Sequence, residues 1–194
     1  MCYSVYIATN QKLEEGSFVP NETDIYFSKI SDAEEVRLRS KFSKENIYYV
    51  GSDTNCSCGL AFDSSDFGNP KEDINKKSPT KFIEFLQKAT LIESVQCYCC
   101  WEGDEVTDIE NYKDINIQKI SLEKNYFSFE ENVRITFIKT YEPKLRNEIV
   151  KILQENEQGS LLKAIKFLRN QTKSGLMDAR VYVEYLAIDL KKSE

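Results

Sequence analysis

The segment VQCYCCWEGDE, residues 95–105, places three cysteines within four positions and then enters an acidic stretch after a tryptophan. Residues 95–101 are rich in the aromatic and apolar types that strands favour, so they are predicted to form a β-strand that ends in a loop. In a strand, residues two apart share a face, which puts Cys97 and Cys99 side by side. The segments on either side of this strand indicate what kind of sheet it belongs to.

Upstream of this strand, short alternating runs indicate further strands. Ser31 followed by Glu34 matches a capping box, which predicts a helix with Val36 and Phe42 facing inward. A second helix is predicted after Ser78, with Pro79 at its first position. The segments NIYYVGS and CSCGLAF look like the two arms of a hairpin. The upstream predictions are strands at 2–9, 25–30, 46–52 and 56–62, and helices at 31–42 and 78–93.

Downstream of the acidic stretch the pattern changes once, at Pro143. Residues 115–122 and 133–140 alternate as strands do, whereas the apolar residues after Pro143 recur at helical spacing in three short segments. We therefore expect an α+β fold: a mixed or antiparallel sheet with a packed helix, followed by a three-helix C-terminal unit. The predicted boundaries are residues 1–140 for the sheet domain and 144–190 for the helical unit.

The composition excludes several function classes. Lys and Arg total 26 against 32 Asp and Glu, a net charge of −6, which argues against nucleic acid as the main partner. No apolar run approaches the ~20 residues that cross a bilayer. The start, MCYSVYIATN, lacks the basic region of a secretory signal, so we expect a cytoplasmic protein whose six cysteines are thiols. The sequence has no histidine, which removes His-dependent nucleophiles and zinc sites that use imidazole.

The cysteine pairs allow two interpretations. If the predicted strands 56–62 and 95–101 are neighbours, the four thiols of Cys56, Cys58, Cys97 and Cys99 could converge as a structural zinc site. However, alternate residues on a strand lie about 6.5–7 Å apart, which is too wide for two ligands of one tetrahedral ion. The spacing therefore favours buried cysteines in the wall of the sheet, and no metal or other cofactor is expected.

Cys2 supports a separate hypothesis. If Met1 were removed, Cys2 would be an N-terminal nucleophile with its own amine as the base, a mechanism that needs no histidine. The Met-Cys start resembles that of the N-terminal-nucleophile glutamine amidotransferases. That resemblance covers two residues and implies an amidohydrolase-like enzyme as the alternative to a non-enzymatic protein.

Residues 163–184, KAIKFLRNQTKSGLMDARVYVE, resemble the helical hairpin in the C-terminal domain of the bacterial ribosomal stalk protein. In that family the exposed face of the hairpin recruits translational GTPases through basic and aliphatic side chains. This chain departs from the family at Leu161 and Lys173, where the family prefers lysine and glycine. The matching positions are Ile165, Lys166, Arg169, Thr172, Gly175, Leu176, Asp178, Ala179, Arg180 and Val183.

The resemblance implies a docking face formed by Leu162, Ile165, Lys166, Arg169 and Arg180. The residues themselves also show a basic stripe at helical spacing in a chain that is acidic overall. We therefore expect a non-enzymatic protein that binds another protein, with no nucleic-acid or membrane partner.

A second candidate surface for that partner is the acidic loop that begins at Trp101 and includes Asp104. The segments MCYS, YYVGS, CSCG and CCWEGDE resemble those of an uncharacterised bacterial protein family, a resemblance that implies no mechanism. Small size and acidity also suit a toxin-neutralising immunity protein.

Overall fold

A six-stranded mixed sheet forms the larger part of the computed structural model, which describes residues 2–155 and 159–192. The strand order is β2-β3-β1-β4-β6-β5, and every neighbouring pair is antiparallel except β5 with β6. The strand bounds are β1 Tyr3–Thr9, β2 Ile25–Lys29, β3 Asn46–Ser52, β4 Val95–Trp101, β5 Asn111–Ile115 and β6 Val133–Phe137.

Two helices flank this sheet and three follow it. Their bounds are α1 Asp32–Leu38, α2 Lys77–Ala89, α3 Pro143–Gln154, α4 Ser160–Thr172 and α5 Leu176–Lys191. The predicted α+β class, with a mixed sheet, a packed helix and three C-terminal helices, is confirmed. Within the described ranges, none of these helices combines the length and the apolar character that crossing a bilayer requires.

The alternation of β4 explains how its cysteines are used. Cys97 and Cys99 belong to the apolar cluster on the side of the sheet covered by α2, where Phe82 and Leu86 are fully buried. Cys100 points the other way, into a second cluster with Leu38 at the end of α1. Both faces of the central strands are therefore covered, and β4 contributes thiols to both.

The C-terminal helices enclose a third apolar cluster of their own, which contains Ile149, Leu168, Ala179 and Val183. A buried charge network joins these helices to the sheet. The Lys44 ammonium lies 2.9 Å from a Glu93 carboxylate oxygen and 3.2 Å from an Asp178 carboxylate oxygen, and the Ser94 hydroxyl donates to the same Asp178 oxygen. The hairpin's acidic residue is therefore turned inward to the sheet.

Four local predictions are wrong. Val36 is exposed rather than inward, although Phe42 is buried as expected. Residues 56–62 contain a 3-10 turn at Ser57–Leu60 instead of a strand, so 46–62 is not a hairpin. The strand predicted at 115–122 is displaced to Asn111–Ile115 and is followed by a second 3-10 turn. The helix predicted from Ser78 to about residue 93 ends at Ala89.

Candidate functional site

A cluster of three thiols lies where β1 begins. The Sγ atoms of Cys2, Cys56 and Cys58 are all within 4.8 Å of one another. Within residues 2–155 and 159–192, these are the cysteine or carboxylate side chains that approach closely enough, in a group of three or more, to share a metal ion. All three cysteines are partly exposed and none is in a disulfide.

This arrangement differs from the predicted set of four. Cys56 and Cys58 do come together, but Cys97 and Cys99 are buried in the sheet core and do not join them. Cys97 and Cys99 pair with Ile7 and Val5 of β1 and form part of the packed wall beneath α2. Cys2, considered from the sequence only as a nucleophile, takes their place beside Cys56 and Cys58.

Ser57 is the residue that brings the cysteine turn against the sheet. Its hydroxyl accepts a hydrogen bond from the Val5 N–H at 3.0 Å and donates one to the Val50 carbonyl at 2.6 Å. The side chain thus takes the place of a direct backbone ladder between β1 and β3 at this end. Because Cys56 and Cys58 flank Ser57, both are carried to the start of β1.

A tight turn fixes the position of Cys56. Asn55 adopts a left-handed backbone with φ of 60°, a conformation that asparagine tolerates better than most residues. The chain then returns, and the Cys56 carbonyl accepts hydrogen bonds from the Ser52 N–H at 3.0 Å and the Ser52 hydroxyl at 2.6 Å. Gly59 allows this closure, since a Cβ at that position would lie 2.4 Å from the Ser52 hydroxyl.

Hydrogen bonds converge on the sulfur of Cys56. Its Sγ accepts from the backbone N–H of Cys58 at 3.3 Å and lies 3.3 Å from the Thr54 hydroxyl. Partial burial acts to raise the pKa of Cys56, but the hydrogen bonds from Thr54, from Cys58 and from the Cys2 thiol outweigh it and lower that pKa below its usual value. The hydrogen bonds around Cys56 therefore favour its thiolate form.

The pKa of Cys58 is shifted in the opposite direction. Burial raises the pKa of Cys58, and so does the negative charge that Cys56 carries once it ionises, although a hydrogen bond from the Tyr3 backbone acts to lower it. A second thiolate beside the first is costly, as expected for neighbouring groups of like charge. The three buried cysteines of β4 are further from ionisation, because burial raises the pKa of Cys99 and of Cys100 to about 12 and that of Cys97 well above its usual range.

Two clefts meet at the thiol cluster. Cys56 lines both, and the first, of about 670 Å³, also contains Cys58, Asp53 and Asp63. The second, of about 520 Å³, contains Cys2 together with residues of α1 and of the loop after β4. The cluster is therefore reachable from solvent on two sides.

The loop after β4 contributes one buried carboxylate to the second cleft. Glu105 is 5% exposed, and its carboxylate accepts hydrogen bonds from the Tyr6 hydroxyl at 3.3 Å and the Gly103 N–H at 3.1 Å. The Arg37 guanidinium lies 3.5 Å from it. Glu105 therefore closes the loop onto the sheet, whereas Asp104 in the same loop is exposed.

Trp101 is held in place by its own neighbours. Its ring stacks on Tyr3 with centroids 4.2 Å apart, and its indole N–H donates to the Glu131 carboxylate at 2.9 Å. Trp101 thus ends β4, and Asp104 lies in the loop that follows it. The residues predicted from the hairpin lie on the C-terminal helices instead.

The hairpin residues divide between core and surface. Ile165 differs from the prediction: it is 6% exposed and packs within the helical cluster, because it falls on the inward side of α4 with Leu168. Leu162, Lys166 and Arg169 are exposed, and their spacing of four and three residues aligns them on one face of α4. Arg180 is exposed on α5, where its guanidinium lies 2.7 Å from the Glu184 carboxylate.

Comparison with known proteins adds no relative: the chain matches no protein-family model, no curated protein and no solved structure.

Sequence reasoning missed the grouping of Cys2 with Cys56 and Cys58. One signal was available, the polar run SDTNCSCG at 52–59, which suits a turn better than a strand. The other requirement, the contact with the start of β1, depends on strand order and has no local signal.

Proposed function

We propose that this protein is a non-enzymatic docking module that binds another protein through the outer face of α4. The observation that supports this proposal is the stripe of Leu162, Lys166 and Arg169, which we call the α4 stripe. All three side chains are exposed, and Leu162 leaves 64% of its surface in solvent. The helical cluster packs on the opposite side of the helix, so folding does not need these side chains.

Charge indicates the kind of partner. The chain carries a net charge of −6, yet this face joins two cations to an exposed leucine. Basic and apolar groups that alternate on one helix face suit an acidic protein surface with an apolar patch at its centre. The proposal includes the expected cytoplasmic location, where such a partner would be found.

The resemblance to the ribosomal stalk hairpin gives this proposal a narrower form, in which a translational GTPase is the partner. The inward position of Ile165 and the pairing of Arg180 with Glu184 leave Leu162, Lys166 and Arg169 to carry such an interaction. The partner that we propose is therefore defined by its acidic surface rather than as a translational GTPase.

Charge reversal tests the α4 stripe. The variant Lys166→Glu/Arg169→Glu is compared with wild type by quantitative cross-linking and mass spectrometry in cell extract. The control is Lys71→Glu/Lys124→Glu, which changes the net charge equally at two exposed lysines outside the helical unit. Partners lost from the α4 variant and kept by the control support the proposal, and identical partner profiles in all three proteins overturn it.

The acidic loop is the second candidate surface. It is the surface that would bind the partner if the protein were a toxin-neutralising immunity protein. It exposes Glu102, Asp104, Asp108 and Glu110 around Val106, which is 66% exposed. A basic partner would bind there, and the variant Asp104→Lys/Asp108→Lys would release it while leaving the α4 partners unchanged.

The enzymatic alternative, with Cys2 as an N-terminal nucleophile, stays a hypothesis that intact mass tests directly. Its requirement is a free amine at Cys2. A mass that retains Met1 ends this alternative and leaves the docking proposal unaffected.

A further inference from the structure

We infer that Cys2, Cys56 and Cys58 form a binding site for a thiophilic metal ion, Zn²⁺ or Cu⁺, with three protein ligands and one coordination position open to solvent. This inference is independent of the docking proposal, because the α4 stripe contributes nothing to it.

The first observation that supports a metal site is the spacing of the three sulfur atoms. With a metal–sulfur bond of about 2.3 Å, two thiolates on one ion lie about 3.7–4.0 Å apart in tetrahedral or trigonal geometry. The three Sγ atoms already lie within 4.8 Å of one another. Small side-chain rotations would close that gap without moving the sheet, since Cys56 and Cys58 lie on a turn and Cys2 precedes β1.

Hydrogen bonding supports it independently. The Cys56 sulfur accepts a hydrogen bond from the Cys58 backbone N–H at 3.3 Å, and the Thr54 hydroxyl lies 3.3 Å from the same atom. Donors of this kind favour thiolate over thiol and hold ligands in a fixed orientation in metal–thiolate sites.

The charge balance also favours a cation. Asp53 and Asp63 lie in one adjoining cleft and Glu102 and Glu105 in the other. Among the described residues that line these clefts, the one Lys or Arg is Arg37, in the second cleft. A bound cation would offset the negative charge that these carboxylates and ionised thiols bring to one place.

The class of ion follows from the ligands. Thiolates select soft or borderline d¹⁰ ions such as Cu⁺ and Zn²⁺ over Mg²⁺ or Ca²⁺, which prefer oxygen. Three protein ligands with an open side match an accessible ion rather than a closed structural one. Both clefts give solvent or an external ligand a path to that position.

The test uses the full-length reduced protein. Co²⁺ is titrated as a spectroscopic stand-in for Zn²⁺ and then displaced by Zn²⁺, and Cu⁺ is added in a second arm against a chromogenic chelator. We expect one ion per chain in at least one arm, with sub-micromolar affinity and thiolate-to-cobalt charge-transfer absorption in the first. Absence of binding in both arms overturns the inference.

Single substitutions identify the ligands. Cys2→Ser, Cys56→Ser and Cys58→Ser should each weaken binding by about 100-fold or more, because losing a ligand costs more than losing a group that only orients one. The matched control, Cys100→Ala, also removes one thiol but from the opposite face of the sheet, and should bind as wild type does. Unchanged affinity in all three serine variants contradicts the assignment.

A measurement on the wild-type protein avoids any folding defect in the variants. Thiol alkylation is followed by peptide mass spectrometry with and without the metal. Bound metal should slow the labelling of Cys2, Cys56 and Cys58 at least tenfold. Equal labelling rates with and without the metal would show that the cluster is not a metal site.

Discussion

At the scale of single residues, Ser57 attaches the turn that contains Cys56 and Cys58 to the sheet. Its hydroxyl bridges Val5 and Val50, and the residue is 2% exposed. Ser57→Ala would leave a buried N–H and a buried carbonyl without partners, so we expect a loss of about 2 kcal/mol in the free energy of unfolding. Urea denaturation measures it, and Ser17→Ala, an exposed serine, should change stability by less than about 0.5 kcal/mol. A loss that small in Ser57→Ala would show that the bridge is dispensable.

Thiol reactivity should follow the order of ionisation. The pKa of Cys56 lies below its usual value because hydrogen bonds from Thr54 and Cys58 outweigh partial burial, whereas burial raises the pKa of Cys100 to about 12. Since the thiolate is the reactive species, native metal-free protein should be alkylated at Cys56 as the pH is raised, while Cys100 stays unlabelled. Peptide mass spectrometry across a pH series checks this, with urea-unfolded protein as the control in which both react alike. Equal midpoints in the native protein would contradict it.

At the scale of elements, the buried charge network governs how acid affects the fold. The Glu93 carboxylate accepts hydrogen bonds from the Thr9 hydroxyl at 2.6 Å and the Asn10 N–H at 2.7 Å, and pairs with Lys44 at 2.9 Å. Burial acts to raise the pKa of Glu93, but these partners outweigh it and hold that pKa below its ordinary value of 4.5. The ionised form is therefore favoured by the folded state.

The sign of the pH dependence follows directly. A carboxyl with a depressed folded pKa contributes stability that is present above the unfolded pKa and is lost as pH falls through the folded pKa. Glu93→Gln should lower the free energy of unfolding by about 3 kcal/mol at pH 7, because Lys44 stays buried without one of its two carboxylate partners. The gap to wild type should shrink as the pH falls below about 4.5. Denaturant unfolding between pH 7 and 3 tests this, with Glu84→Gln, which removes a half-exposed ion pair with Lys81, as the control. A gap independent of pH would contradict it.

The elements with strong local patterns are the ones that the sequence predicts. Strands β1, β3 and β4 and the three C-terminal helices lie where alternation or helical spacing places them. CSCGLAF alternates as a strand does, but Ser57 inserts its hydroxyl between β1 and β3 and the segment turns instead. The local periodicity of a sequence carries no information about such a contact between distant segments.

In the candidate site, too, features set by local sequence can be predicted and contacts between distant segments cannot. The exposed α4 stripe follows from helical spacing alone, whereas the inward position of Ile165 depends on which side of α4 packs against α3 and α5. Cys56 and Cys58 are neighbours in the sequence, so their proximity could be predicted. Their contact with Cys2 required knowledge that the turn after β3 lies against the start of β1.

At the scale of the whole molecule, the sheet and the helical unit have separate apolar clusters, and the charge network is one of the links between them. Asp178, at the start of α5, belongs to this link through Lys44 and Ser94. The helical cluster contains none of the sheet's central residues, so weakening the link should allow the helices to open without the sheet.

Hydrogen exchange tests this coupling. Asp178→Asn removes one of the two carboxylates that Lys44 pairs with, the one on the helical unit, while keeping the shape of the side chain. Amides in α4 and α5 should therefore exchange about tenfold faster than in wild type. Amides in β1 and β4 should keep their protection, because their contacts lie within the sheet clusters. Glu184→Gln is the matched control, since it removes an exposed ion pair from the same helix and should change neither region. An equal loss of protection in sheet and helices would mean that the whole chain opens as one unit, and the charge network would then stabilise the molecule globally.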